Sequence, residues 1–208
     1  MKKLFHTFLY TFISLFLVET GFAKEEHYSG PDFTASKVTV DDGDKTVSQI
    51  HMSKIGFREV LLTNVPFEIM YISNFKDKKM WMVIPSKKMY SDMTSMKGDA
   101  DSDFTRTTVF DDKPCKGFDK TKKLSTKNIK NKKVEEWGCI NKKTQKAILQ
   151  WYEPKSKMVI REQDKGTGKS DILVSNVKFQ SQSKSLFALP SGYKKVSMNE
   201  MLKIMQSH

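Results

Sequence analysis

The sequence has few of the residues that most often carry catalysis or bind metals. Its 208 residues include two cysteines and four histidines, and no histidine stands near a cysteine at the spacing that a zinc site requires. No Gly-x-Ser-x-Gly motif is present, which excludes the nucleophile turn of that class of hydrolases. We therefore predict a protein that is not an enzyme, with no catalytic residue, no metal ligand and no cofactor.

The sequence also lacks a complete phosphate-binding loop. Residues 166–170, Gly-Thr-Gly-Lys-Ser, end like such a loop, but Gln163 stands where its first glycine is needed. The motif leads into the β-branched run 171–179 instead of a helix. We interpret it as a hairpin turn, which makes 157–163 and 171–179 adjacent antiparallel strands.

The apolar run at the N-terminus is too short for a membrane span. Residues 8–18 are mostly apolar, follow Lys2 and Lys3, and precede the small residues Gly21 and Ala23. This three-part pattern is typical of a secretory signal peptide and predicts cleavage after Ala23. The alternative is a membrane anchor, which needs roughly 20 apolar residues. We therefore predict an exported protein.

An exported location determines how the cysteines and the charge are interpreted. Cys115 and Cys139 are the only cysteines, and such a pair predicts one disulfide, with two buried thiols as the alternative. The net charge of +12 favours anionic partners through long-range attraction, without identifying them. Outside the cytoplasm we expect lipid headgroups, lipopolysaccharide or acidic polymers, and not nucleic acid.

Short runs rich in β-branched and aromatic residues alternate with polar turns between residues 36 and 179. This pattern predicts an antiparallel sheet built from hairpins. The runs 67–73 and 79–85 are apolar on both faces. A sheet with one wet face would alternate more cleanly, so we expect either helices over the second face or a sheet that curls around an apolar cavity.

The candidate ligand-lining residues come from these strands and from the later run 146–152. They are Met70, Ile72, Met80, Trp81, Met82, Ile84 and Trp151. Two sets are open for the inward face. One set is Met70, Ile72, Met80, Met82 and Ile84, and the opposite set includes Tyr71, Trp81 and Val83. For each residue, a place in the ordinary core is the alternative role.

Residues 97–133 form a polar insertion that is acidic at its start and rich in lysine afterwards. One interpretation is a solvated loop. The other is electrostatic docking on an anionic membrane surface, through Lys120, Lys122, Lys123, Lys130, Lys132 and Lys133.

The C-terminus has the pattern of a short amphipathic helix. Ser197 and Glu200 form a capping-box pattern. The residues that follow at helical spacing on one face are Met198, Met201, Leu202 and Met205. We expect this helix to close the core, with contact to a variable apolar ligand as the alternative role of its methionines.

Three segments carry a resemblance to a known group. FKDKKMWMVIPSKKMYSDM (75–93), WGCINKKTQKAILQWYEP (137–154) and SLFALPSGYKKVSM (185–198) resemble exported bacterial proteins related to the lipoprotein-localisation (Lol-type) carriers. The resemblance covers most of residues 33–198. It implies a strongly curved antiparallel sheet, an unclosed barrel, with a helical plug against a concave face that holds acyl chains in the carriers.

These observations predict a signal peptide over 1–23 and one mainly β (α+β) domain over 24–208. The expected function is a periplasmic, non-enzymatic binding or carrier protein for an apolar ligand, such as an acyl chain or the lipid of a lipoprotein. The alternative is a cell-envelope interaction or assembly protein with a solid core and no small ligand.

Overall fold

The structure is a computed structural model of the chain, and it describes residues 28, 30–63, 65, 67–94, 113–129, 132–166 and 170–207. The predicted signal peptide and its cleavage site after Ala23 lie outside the described residues. Lys130, one of the predicted docking lysines, lies outside them as well.

The described part of the chain contains twelve strands and one α-helix. The strands are β1 (Phe33–Asp41), β2 (Asp44–Ser53), β3 (Gly56–Leu61), β4 (Ile69–Asn74), β5 (Lys79–Ile84), β6 (Met89–Asp92), β7 (Lys120–Ile129), β8 (Lys132–Ile140), β9 (Ala147–Glu153), β10 (Met158–Asp164), β11 (Ser170–Phe179) and β12 (Lys194–Lys195), and the helix is α1 (Met198–Gln206). One sheet joins the strands in the order β12-β6-β5-β4-β3-β2-β1-β11-β10-β9-β8-β7. Strand β12 runs parallel to β6.

The predicted fold class is confirmed in its content and in its open sheet. The chain is mainly β, β12 and β7 form the two ends of the strand order, and one short helix follows at the C-terminus. Tight hairpins produce this order. Between β1 and β2, Asp42 and Gly43 both have positive φ, at 49° and 91°, as a two-residue type I′ turn requires.

The hairpin predicted around Gly166 is also confirmed. Strands β10 and β11 pair antiparallel, with Gln163 opposite Asp171 and Arg161 opposite Leu173. The residues that resemble a phosphate loop therefore connect two strands, although 167–169 themselves lie outside the described residues.

Two compact units divide the strands. The first comprises the described residues of 1–34, 49–106 and 178–208, and the second those of 35–48 and 107–177. Strands β1, β2 and β11 contribute to both units. The single domain over 24–208 stays a prediction.

The second unit has its core around the predicted disulfide, which is confirmed. Cys115 and Cys139 are bonded, with 5.3 Å between their Cα atoms, and they pack with Ile148. The backbone N–H of Cys115 donates to Oε1 of Gln150 at 2.7 Å. Gln150 in turn donates to Oε2 of Glu162 at 3.0 Å. The disulfide and this buried chain of hydrogen bonds attach the segment around Cys115 to β9 and β10.

The interpretation of 97–133 as a loop is wrong for part of that segment. Strand β7 and the first residues of β8 lie within it and pair antiparallel, with Lys127 opposite Val134 and Lys123 opposite Trp137. Lysines suit this position because β7 is the last strand of the sheet order, and edge strands are commonly protected by charged side chains. The high lysine content therefore led to the interpretation of this strand as a loop.

Helix α1 begins as the capping pattern predicts. Oγ of Ser197 accepts a hydrogen bond from the backbone N–H of Glu200 at 3.1 Å. Met201 and Met205 are buried. The helix therefore lays its methionine stripe on the first unit.

We expect loss of the disulfide to destabilise the fold. The bond closes a loop between residues 24 apart in sequence, so replacing Cys115 and Cys139 together with Ser should lower the free energy of unfolding by about 3 kcal/mol. Urea denaturation followed by tryptophan fluorescence measures this change. Reduced wild-type protein serves as the control and should unfold near the double variant. Equal stability of the variant and the oxidised protein would contradict the expectation.

Candidate functional site

The register of β4 and β5 divides their apolar side chains between two faces. Tyr71 lies opposite Met82, and Ile72 lies opposite Trp81. Residues directly opposite each other in an antiparallel pair share a face. Both faces are apolar, as the sequence predicts, and each carries its own buried cluster.

Both inward-facing sets proposed from the sequence are wrong, because each combines residues of the two faces. The first set was Met70, Ile72, Met80, Met82 and Ile84, and the second included Tyr71, Trp81 and Val83. Alternation assigns faces within one strand, but the turn between two strands sets their register. The turn over 75–78 places Asn74 opposite Lys79. As a result Met70 and Ile72 share a face with Trp81, while Met82 and Ile84 lie on the other face.

Helix α1 covers the first of these faces, which we call the helix-covered face. Its buried residues are Leu61, Ile69, Tyr71, Met82, Ile84, Met93, Val196, Met201 and Met205, and Met80 packs against them. Met201 is 0% exposed. Burial raises the pKa of Tyr71 well above its usual value, and the nearby Glu59 raises it further. The centre of this face is a buried core with a neutral tyrosine hydroxyl.

The second face has a different cover, and we call it the Trp81 face. Its buried residues are Val60, Met70, Ile72, Trp81 and Val83. Tyr90, Leu189 and Tyr193 pack against them and are only partly buried. Leu189 and Tyr193 belong to the irregular segment 188–193. This apolar surface is therefore covered by an irregular segment and a tyrosine of β6.

Both ends of the segment 188–193 are attached to the first unit. On one side, Phe187 is buried, and its backbone oxygen accepts a hydrogen bond from Nδ2 of Asn74 at 3.2 Å. A Cβ atom at Gly56 would lie 2.7 Å from Cβ of Phe187, so this contact requires glycine. On the other side, the backbone N–H of Val196 donates to the oxygen of Tyr90 at 2.9 Å. The segment is a short connection between two fixed points.

Arg58 lies on the Trp81 face, opposite Ile72 in the register of β3 and β4. It is half-buried, and its Nη2 donates to the sulfur of Met70 at 2.8 Å, a weak acceptor. Its Nε is buried and has no acceptor among the residues that the structure describes. Burial lowers the pKa of Arg58, and the charge of the nearby Glu68 raises it. The guanidinium is thus a cation at the margin of an apolar cluster.

The seven predicted lining residues are divided between the two units. Six belong to the first unit and Trp151 to the second. The Cζ atom of Arg161 lies 4.7 Å from the centroid of the Trp151 ring, and Nη2 of Arg161 lies 2.6 Å from Oδ2 of Asp171. A role in lining a ligand site stays a prediction for all seven. Sequence reasoning missed Arg58, for which the only signal was a charge beginning the apolar run 58–63.

The described docking lysines, which are Lys120, Lys122, Lys123, Lys132 and Lys133, lie on the hairpin of β7 and β8, where some of them form ion pairs. Three lysines of this hairpin are paired, Lys123 with Glu135, Lys127 with Glu136 and Lys132 with Glu153. The hydrogen bond from Lys123 lowers the pKa of Glu135, and that from Ser125 lowers the pKa of Glu136. Lys120, Lys122 and Lys133 form no ion pair with any described residue.

One face of this hairpin combines cations with exposed apolar groups. Lys120 lies opposite Ile140 and Lys122 opposite Gly138, which puts both lysines on the same face. A Cβ atom at Gly138 would lie 3.6 Å from Cδ1 of Leu124, so Leu124 covers this glycine. Leu124, Ile129 and Ile140 are exposed. We call Lys120, Lys122, Leu124, Ile129 and Ile140 the cationic hairpin face.

Two further features are absent from the described ranges. The helices found there are too short or too polar to cross a membrane. Over the same residues, no group of three or more histidine, cysteine, aspartate or glutamate side chains is arranged to hold a metal ion.

No protein-family model matches this chain, and no curated protein matches it significantly. Solved structures do match its fold. An uncharacterized conserved protein from Thermus thermophilus matches with a TM-score of 0.58 and 10% identity, over 83% of this chain and 93% of that one. Pseudomonas aeruginosa MucB, in its complex with MucA, matches with a TM-score of 0.51 and 10% identity, over 82% of this chain and 60% of that one.

The predicted resemblance to Lol-type carriers has a counterpart among these neighbours. The LolA superfamily protein NE2245 from Nitrosomonas europaea matches with a TM-score of 0.38 and 10% identity, over 79% of this chain and 93% of that one. A LolA superfamily protein is thus among the structural neighbours. These likenesses concern the fold alone.

We expect Met201 to be a main packing residue of the helix-covered face. Because its side chain is fully buried, Met201→Ala should lower the free energy of unfolding by about 2–5 kcal/mol, the range for truncation of a large core side chain. Lys203→Ala, an exposed position of the same helix, is the control and should change it by less than about 0.5 kcal/mol. Urea denaturation compares the two. Similar effects of both substitutions would contradict the assignment.

Proposed function

We propose that the protein is a non-enzymatic, periplasmic binding protein that takes the acyl chain of an amphiphile on its Trp81 face. The observation that carries this proposal is the cover of that face. Five buried apolar side chains from three adjacent strands lie beneath an irregular segment, 188–193, in which Leu189 and Tyr193 are only partly buried. Such a segment can move aside while its two attached ends stay in place.

The helix-covered face is a poorer candidate for the same ligand. Opening it would remove a capped helix whose Met201 and Met205 are buried in the cluster. Opening the Trp81 face disturbs fewer ordered interactions, since regions with few buried contacts are those that open at low free-energy cost. Of the predicted lining residues, Met70, Ile72 and Trp81 therefore belong to the proposed site. Met80, Met82 and Ile84 belong to the core beneath α1.

Burial of apolar area would supply the affinity. Each Å² of apolar surface removed from water contributes about 25 cal/mol, from which the ordering of ligand and segment and the loss of translational freedom must be subtracted. An acyl chain is long enough to contact several strands at once. The sequence resemblance to the lipoprotein-localisation carriers supports the same class of ligand, because their concave face holds acyl chains.

The proposal predicts that a bromine-labelled fatty acid quenches the fluorescence of Trp81. The chain has three tryptophans, and a Trp137→Phe, Trp151→Phe double variant retains only Trp81. Quenching requires close approach, so the labelled acid should quench this variant strongly at concentrations where an unlabelled acid of equal length does not.

A Trp81→Phe variant is the matched control for this measurement. It retains the tryptophans at 137 and 151, both in the second unit, and its fluorescence should change little. Equal quenching of both variants would place the acid elsewhere. No quenching of either, together with no gain in thermal stability, would refute acyl-chain binding.

A second candidate function is that of a cell-envelope interaction or assembly protein. The cationic hairpin face favours it, because exposed apolar groups beside unpaired lysines suit an anionic membrane surface. MucB, which shares the fold, was solved in complex with MucA. By analogy, a protein partner is the other form that this function could take.

We expect binding to anionic vesicles to depend on which face of the hairpin carries the charge. Lys120→Gln with Lys122→Gln should weaken binding to phosphatidylglycerol vesicles by about 2 kcal/mol, roughly 30-fold, at about 1 kcal/mol per lysine. Lys123→Gln with Lys133→Gln removes equal charge from the opposite face and should weaken it less. Vesicle co-sedimentation measures both. Equal losses would indicate a net-charge effect without a docking face.

A further inference from the structure

The guanidinium of Arg58 combines a charge with incomplete hydrogen bonding at the margin of the Trp81 face. Its Nη2 donates to the weak thioether acceptor of Met70, and its Nε finds no acceptor within the described part of the chain. A buried donor without an acceptor costs about 1–3 kcal/mol, and more when it is charged. Such an arrangement lowers stability, so a use for the cation is the simplest reason for its presence.

Glu68 does not supply the missing partner. It is exposed, and it raises the pKa of Arg58 through its charge without forming an ion pair with it. The carboxylate of Glu68 therefore influences the guanidinium of Arg58 but is not ion-paired with it. An external anion would compete with this carboxylate for the guanidinium.

We propose that Arg58 binds the carboxylate or phosphate headgroup of an anionic amphiphile whose acyl chain lies on the Trp81 face. This inference rests on the proposed function and adds the class of headgroup to it. Arg58 lies opposite Ile72, and Ile72 lies opposite Trp81, so the cation stands in the same cross-strand row as the apolar surface. One ligand can therefore reach both.

The chemistry of the guanidinium fits this role. Its planar fork presents parallel N–H donors that match the oxygens of a carboxylate or phosphate. Charge-assisted hydrogen bonds of this kind are stronger than hydrogen bonds between neutral groups. Arg58 is half-buried, so an anion can reach it from solvent. The partly apolar surroundings strengthen the attraction relative to water. A neutral headgroup would leave the donors unsatisfied.

A structural role for Arg58 predicts a different effect of substitution. If Arg58 mainly stabilises the fold, Arg58→Met should lower the melting temperature. If it serves a ligand, replacing an incompletely bonded cation by an apolar side chain of similar length should leave the melting temperature of the free protein unchanged or raise it. The preference for anionic over neutral ligands should be lost in the second case only.

The test compares four probes on the wild-type protein and three variants. The probes are inorganic phosphate, dodecyl phosphate, laurate and the neutral dodecyl maltoside, and the variants are Arg58→Met, Arg58→Lys and Glu68→Gln. Affinities come from ligand-dependent shifts of the melting temperature. We expect wild-type protein to bind dodecyl phosphate and laurate about 10- to 100-fold more tightly than dodecyl maltoside. Arg58→Met should abolish this preference.

The other two variants keep the test decisive if Arg58→Met fails to fold. Arg58→Lys retains the charge without the fork and should bind the anionic probes more weakly than the wild type. Glu68→Gln removes the competing carboxylate and should bind them more tightly. Unchanged affinities in both variants would overturn the role of Arg58.

The outcomes separate this inference from the proposed function. If dodecyl maltoside binds as tightly as dodecyl phosphate, or if Arg58→Met binds dodecyl phosphate like the wild type, the role of Arg58 is overturned while acyl-chain binding stands. If inorganic phosphate binds in an Arg58-dependent manner but no amphiphile binds, both the amphiphile and the proposed function are overturned.

Discussion

Strands β4 and β5 carry apolar side chains on both faces, and this constraint shapes the first unit. A sheet of this composition must be covered twice, because either face left in water would expose a continuous apolar surface. The chain meets the requirement with its C-terminal residues. Helix α1 covers Tyr71, Met82 and their neighbours, and the segment 188–193 contributes to the cover of Trp81 and its neighbours.

The two covers differ in how firmly they are held. The helix is capped by Ser197 and contributes buried methionines, whereas the irregular segment contributes partly buried side chains between the attachments at Phe187 and Val196. This difference is the physical basis for placing a ligand on the Trp81 face. The same face holds Arg58, the one charged side chain whose buried nitrogen lacks an acceptor among the residues described.

The second unit adds covalent and polar bonds to its buried apolar side chains. Its disulfide, the hydrogen bonds through Gln150 and the contact of Arg161 with Trp151 and Asp171 stabilise strands that are largely polar on their surface. Strand β7 is exposed along nearly its whole length. Charged edges of this kind resist unwanted strand pairing, and here they also create the cationic hairpin face.

Much of the fold followed from local signals. The β-branched runs predicted the central strands, paired glycines predicted the hairpin after Gln163, and Ser197 with Glu200 predicted the start of α1. Prediction failed where the deciding factor was not local. Strand β7 was not predicted, because its sequence is rich in lysine and has no apolar alternation. A strand at a sheet edge is defined by pairing with its neighbour, here β8, and not by its own apolar pattern.

Four features follow from the amino-acid sequence alone: the strand-forming runs, the apolar character of both faces of β4 and β5, the cysteine pair and the cap of the helix. These depend on side-chain chemistry and on contacts between residues close in the chain. Three others depend on the folded structure: Met70 and Ile72 share a face with Trp81, α1 covers the opposite face, and Arg58 lies at the margin of the candidate site. Register between strands depends on turn geometry and on packing between distant residues, and one residue of slippage would exchange the two faces.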